Sequence, residues 1–209
     1  VSPATADGLL VSIGEPTLDQ TGYQLQSANT QRLDRVAQGP VPSWQSNLDL
    51  TLANSACLEV LEDSAQSTAA LTCTNNVARN PLDLPGIRLS SATLNKIVAA
   101  VRTQVTSVDL ANGLVIGRVL DYKGAPNAGV TIVPSDPMAT ILYLSDDLAS
   151  LVSGAATTSS GVWVSPDAKY GTTFGPSDIA ALTQPGFGGL VHQKVDIVVI
   201  QLKPPGTGG

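Results

Sequence analysis

The sequence predicts a mainly β protein of two β-sandwich domains with one amphipathic helix near residues 91–105. Three observations point there. Short runs rich in Val, Leu, Ile and Thr alternate with Gly, Pro, Asn and Asp turn signals along most of the chain, the pattern of many brief strands. Only one segment carries a helical period. The 209 residues are about twice what a small sandwich needs, and the composition (43% apolar, 13% charged) suits packed sheets joined by polar turns. The expected division is a β-rich first domain over 1–110 ending in the helix, a second sandwich over 111–203, and a flexible tail at 204–209 rich in Gly and Pro.

Residues 9–13 form a plausible first strand, stopped by Gly14 and Pro16. The polar stretch 20–46 contains Gly39, Pro40 and Pro42 and is expected to run over the surface with at most one short strand, which makes it a candidate contact surface. At Leu48, Leu50 and Leu52 the alternation puts three leucines on one face of an extended strand, and 56–61 and 69–74 continue it as a meander. Pro81, Pro85 and Gly86 then mark turns. From Ser90 the period changes. Leu94, Ile97, Val98, Val101 and Val105 recur at helical spacing behind Ser90 or Ser91 as N-cap, and the apolar face is expected to dock on the first sheet.

Cys57 and Cys73 are the only cysteines, each in one of two adjacent β-like runs with fifteen residues between them. If those runs pair as a hairpin, the sulfurs meet across it and close a loop worth about 3 kcal/mol in the chain-entropy account. The other reading is two buried thiols in a reducing compartment; the disulfide is the expectation. Two cysteines and one distant histidine fall short of a zinc set.

In the second half, strands are expected at 114–121, 129–133, 140–144, 155–158, 161–165 and 194–202. Residues 117–132 open with Gly117 on a strand, turn at Asp121 and Gly124, pass Ala125 and Pro126, and reach Gly129 before the next strand. A Thr-rich run at Thr157 and Thr158, a turn at Gly161 and the aromatic strand at Trp163 follow, and an alternating strand from Val195 to Leu202 closes the unit. In that order these features resemble the carboxypeptidase regulatory-like (transthyretin-like) family. The likeness covers 113–203; the 134–153 insertion and the residues after Trp163 depart from the family pattern. It implies a seven-stranded transthyretin-like or Ig-like sandwich used as an accessory or adhesion module of exported proteins. It brings no catalytic residues with it.

The residues themselves point away from several chemistries. The net charge of −6 is spread along the chain, so no basic stripe offers itself to phosphate backbones, and no apolar run is long enough to span a bilayer as a helix. Every histidine-dependent mechanism would pass through His192, which lies in no nucleophile motif. Asp146, Asp147 and Asp136 form the densest acidic cluster of the second half and read as solvated turn residues, with calcium as the sharper alternative. Gly186, Gly188 and Gly189 lack the context of a phosphate loop and read as a turn. Trp163 is expected in the core; Trp44, after Pro42, is the candidate partner contact. Residues 1–8 read as the small-residue start of a mature or trimmed chain, with removal of a targeting segment as the expectation. No catalytic residue, cofactor or metal is expected. The function expected is that of a non-enzymatic structural or interaction protein, exported to a bacterial cell envelope or extracellular assembly. Its partner would be a protein or a second copy of itself, with carbohydrate or small-ligand binding, or a filament role, as alternatives.

Overall fold

The computed structural model describes residues 9–25, 30–35, 44–45, 53–62, 70–77, 84–87, 89–178 and 184–204. Over the described residues the protein is mainly β, with one α-helix and a large curled sheet. The first part supplies β1 (Leu9–Gly14), β2 (Thr17–Asp19), β3 (Gly22–Gln24), β4 (Thr30–Arg32), β5 (Asp34–Arg35), β6 (Trp44–Gln45), β7 (Ala56–Glu62) and β8 (Ala70–Thr74). After α1 (Ser91–Arg102) come β9 (Leu114–Leu120), β10 (Ile132–Pro134), β11 (Leu142–Tyr143), β12 (Val162–Ser165), β13 (Thr172–Pro176), β14 (Gly186–Gly188) and β15 (Val195–Gln201). Eleven of these strands form one sheet, and β2–β3 and β5–β6 are separate two-stranded ribbons.

The sheet has three limbs that meet at β8. One runs β8-β15-β9-β12-β11, with β15 parallel to both β8 and β9. A second runs β8-β14-β13-β10 and folds over to face the first. The third is β8-β7-β1-β4, all antiparallel. Because side chains alternate across a strand, the register sorts the apolar residues onto two faces. On the inner face Val115, Val119, Trp163, Phe174, Val198 and Ile200 close the space between the first two limbs, with the Trp163 and Phe174 rings 4.8 Å apart. On the outer face Leu114, Ile116, Val164, Val195 and Ile197 pack under Leu94, Ile97, Val98 and Val101 of α1.

The helix starts as its sequence dictates: Ser90 is extended, and its hydroxyl accepts from the Thr93 amide. Its docking differs from expectation. The apolar face lies chiefly on β9, β11, β12 and β15 of the second half, because the brief link through Leu110–Asn112 drops the chain straight into β9 and leaves the helix above the strands that follow it.

Several other expectations are corrected. The 20–46 stretch carries β3, β4, β5 and β6 rather than one short strand; its first hairpin is closed by the Thr21 amide and hydroxyl, both donating to Asp19 Oδ1 at 2.7 Å. Residues 155–158 form no strand. There the Thr157 hydroxyl donates to the Asn127 carbonyl and accepts from the Val130 amide, beside backbone bonds from the Gly129 amide to the Thr157 carbonyl and from the Thr157 amide to the Val130 carbonyl. β13 and β14 appear where no strand was expected, and 186–188, read as a turn, is extended. The leucine alternation at 48–52 and the tail at 205–209 lie outside the described residues. The Asp121 turn matches its reading: Asp121 Oδ1 accepts from the Lys123 and Ala125 amides, and Gly124 takes a φ of 84°.

Candidate functional site

The densest gathering of chemistry lies on the inner face, where the three limbs join. Cys57 and Cys73 stand directly opposite each other on β7 and β8 and are disulfide-bonded, so the expected hairpin and its crosslink are both present. Both are buried, together with Leu71 and Val191. Tyr170 covers them. Its hydroxyl donates to Ser55 Oγ at 2.9 Å and lies 3.4 Å from Cys57 Sγ, and its ring packs between Tyr23 (4.7 Å) and Phe187 (5.6 Å). Burial is the main reason the phenol is held well above its ordinary range.

Asp196 is the second member of this group. It pairs with Leu71 of β8 and Val115 of β9, and at 1% exposure it sits between the disulfide cluster and the inner core. Its Oδ2 accepts from the Gly189 amide at 2.8 Å; Oδ1 is buried without a hydrogen-bond partner. Desolvation pushes the carboxyl up to about 8, against the opposing effect of the Gly189 hydrogen bond. At neutral pH it is mostly a neutral acid.

The glycines of β14 explain how a carboxyl fits here. A Cβ on Gly188 would stand 1.9 Å from Asp196 Oδ2, and one on Gly186 would stand 2.3 Å from a Val198 methyl. Alternate glycines thus give β14 a bare face that lies flat on β15, while Phe187 between them turns toward Tyr170. Next to this crossing, Lys194 of the turn before β15 is ion-paired with Glu59 of β7, which also accepts from Ser12 Oγ at 3.2 Å. These contacts lash β15, β7 and β1 together across β8. Where β8, β14 and β15 diverge there is an open cleft of about 270 Å³, with Thr72, Thr74, Asn76, Gln184, Ile197 and Val199 among its walls.

No family model, curated protein or solved structure matches the chain. Its chemistry is therefore argued from these residues alone.

Apart from Cys57 and Cys73, the residues singled out in the sequence do not converge. Trp163 is fully buried, as expected, and stacked so closely on Gly117 that a Cβ there would stand 1.7 Å from the indole. Trp44 pairs through its backbone with Arg35; its side chain, and so the expected partner contact, lies outside the described residues. His192 is half-buried: its amide donates to the Tyr23 carbonyl at 2.8 Å and its Nδ1 is buried without a partner. Asp147 accepts from Ser145 Oγ and the Ala149 amide, and Asp146 from the Ser160 amide; hydrogen bonds from these turns hold both carboxyls below their ordinary range. Asp136 accepts from the Met138 amide. Asp136 and Asp147 each cap their own turn, and Asp146 is held by the 158–160 turn. Among the described residues no three His, Cys, Asp or Glu side chains gather as a metal site would require, and no helix is long and apolar enough to cross a membrane.

Sequence reasoning passed over Tyr170 and Asp196. A signal for Asp196 existed. In β15 it is followed by Ile197, Val198, Val199 and Ile200, apolar residues that fall on both faces, so the strand is covered on both sides and an acid within it is buried.

Proposed function

We propose that this chain is a non-enzymatic structural or interaction protein of an exported assembly, in a bacterial cell envelope or the extracellular space. In this reading β9 through β15 form a seven-stranded transthyretin-like sandwich, with β11-β12-β9-β15 as one layer and β10-β13-β14 as the other, and the residues before 111 form a second β-rich unit joined to it through β8. One observation carries the proposal: the Cys57–Cys73 disulfide clamps the hairpin whose second strand joins all three limbs. A crosslink at that place favours an oxidising compartment and a rigid scaffold.

Two further features support it. Tyr170 and Asp196, the groups whose titration departs most from the ordinary, are enclosed in packing and tie strands together, which suits a scaffold better than catalysis. The edge strand β10 leaves Val133 exposed, with Met138 exposed in the loop that follows, a surface suited to a protein partner or a second copy. Trp44 is the proposed anchor on the first unit.

The test is a quantitative pull-down with the tagged, naturally oxidised protein from envelope and secreted fractions. Reproducible enrichment of one surface or secretion component, or of the protein itself, is the expected result. Turnover of a substrate that a His192 or Asp substitution abolishes would overturn the reading. A saturable tryptophan-fluorescence response to one member of a glycan panel would move it to a carbohydrate-binding module.

A further inference from the structure

We propose that Asp196 is a proton-operated latch: its protonated carboxyl holds the Gly188–Gly189 end of β14 against β15, and the cost of ionising it in place loosens that crossing as the pH rises.

The geometry carries this. Asp196 stands at the root of the fork, in the last register pair that joins β8 to β15. Beyond it β8 instead meets β14, through Cys73 and Phe187. The carboxyl oxygen that accepts from the Gly189 amide is the side-chain hydrogen bond joining the two facing limbs at this point. Gly188 lies so close that no larger residue fits over the carboxyl.

The titratable side chains on the elements packed around Asp196 do not compensate a charge there. Tyr170, on the segment entering β13, is neutral and raised chiefly by its burial, with a smaller contribution from the Asp196 charge. Lys194, two residues away in the turn before β15, is committed to Glu59 of β7. His192 shares the turn between β14 and β15, and the Lys169 residue is exposed. β8, β9 and β14 present Leu71, Val115 and Gly188. An ionised Asp196 would therefore keep one donor, the Gly189 amide, in a desolvated site.

The sign follows from linkage. In the closed structure burial pushes the carboxyl up to about 8; once the crossing opens it regains the ordinary value of 3.8. The closed form then binds more protons across that window. The latch is fully effective below the ordinary value, weakens steadily as pH rises toward 8, and changes no further above it. The inference does not depend on the scaffold reading.

The test uses the full-length oxidised protein. The Asp196 carboxyl carbon is titrated by NMR, and Gly189 amide protection, corrected for intrinsic exchange, is followed over the same range. Expected are a carboxyl titration near 8 and a protection factor that falls about tenfold per pH unit from pH 5 to 8 and then levels. In Asp196→Asn, whose amide oxygen can still accept from Gly189, protection should not vary with pH. A carboxyl that titrates near 4, or an equal fall of protection in the Asn variant, overturns the latch. Should that variant fail to fold, the two measurements on the native chain decide alone.

Discussion

The limb formed by β7, β1 and β4 and the layers formed by β9 through β15 hold together by different means. Among the described residues, the buried apolar cluster of the first limb is Val11, Ile13, Ala56 and Leu58, with Val60 of β7 buried besides. The outer and inner cores of the second half gather fifteen and nine buried residues, including a helix face and the Trp163–Phe174 pair. A fully buried aliphatic side chain contributes about 1.5–3 kcal/mol, so the first limb has a small fraction of its neighbour's apolar burial. It has instead the Cys57–Cys73 crosslink, the Glu59–Lys194 ion pair and the Ser12–Glu59 hydrogen bond, all on or next to β8. Where the hydrophobic core is thin, covalent and polar ties fix the sheet. β8 is where the two strategies meet.

The strongest attempt to break this contrast is Trp163→Ala. It should cost about 3–5 kcal/mol by urea denaturation, because it empties the centre of the inner core above Gly117. Leu58→Ala in the first limb should cost clearly less; equal losses would mean the limbs share one core. Next in size, Cys57→Ser combined with Cys73→Ser should cost about 2–4 kcal/mol. Hydrogen exchange should show that loss concentrated in β1 and β7 while β9 and β12 keep their protection. A loss spread evenly over all four strands would make the disulfide a property of the whole sheet. Smaller again is Gly188→Ala, about 1–3 kcal/mol by overpacking, since its Cβ would meet the Asp196 carboxyl. Its effect should register as loss of protection on both β14 and β15. A neutral outcome would show that β14 can lift from β15 at little cost.

What was legible in the sequence follows the same division. β9 could be read because Leu114 to Leu120 is a nearly unbroken apolar run between Gly113 and the Asp121 turn, and α1 because its spacing and Ser90 cap are local signals. The Cys57–Cys73 hairpin was readable for the same reason: both strands and the residues to be joined lie close together in the chain. β14 was not. Gly186 and Gly188 look like turn residues until β15 is known to pass within contact of their faces, and that neighbour is supplied only by the fold. Their alternation about Phe187 was the available clue, since glycine at every second position gives a strand one bare face. The helix's destination was likewise hidden, because amphipathicity states that a face is buried and says nothing of which sheet buries it.

The finest test concerns the tie that crosses β8. Glu59 and Lys194 are partly exposed, so solvent screens the pair, and a cycle of Glu59→Gln and Lys194→Met should give a coupling of about 0.5–1 kcal/mol, reduced by salt. Its value lies in repetition on the chain without cysteines. The disulfide fixes β7 against β8, and the ion pair then needs only Lys194 to find a carboxylate already in place. Without the crosslink, the pair must also bear the ordering of β7, and the measured coupling should fall toward zero. A coupling that survives unchanged would mean that β7 is positioned by its ladder with β8 and β1 alone. The disulfide would then act chiefly on the unfolded chain, and the first limb would be more self-sufficient than its small apolar cluster suggests.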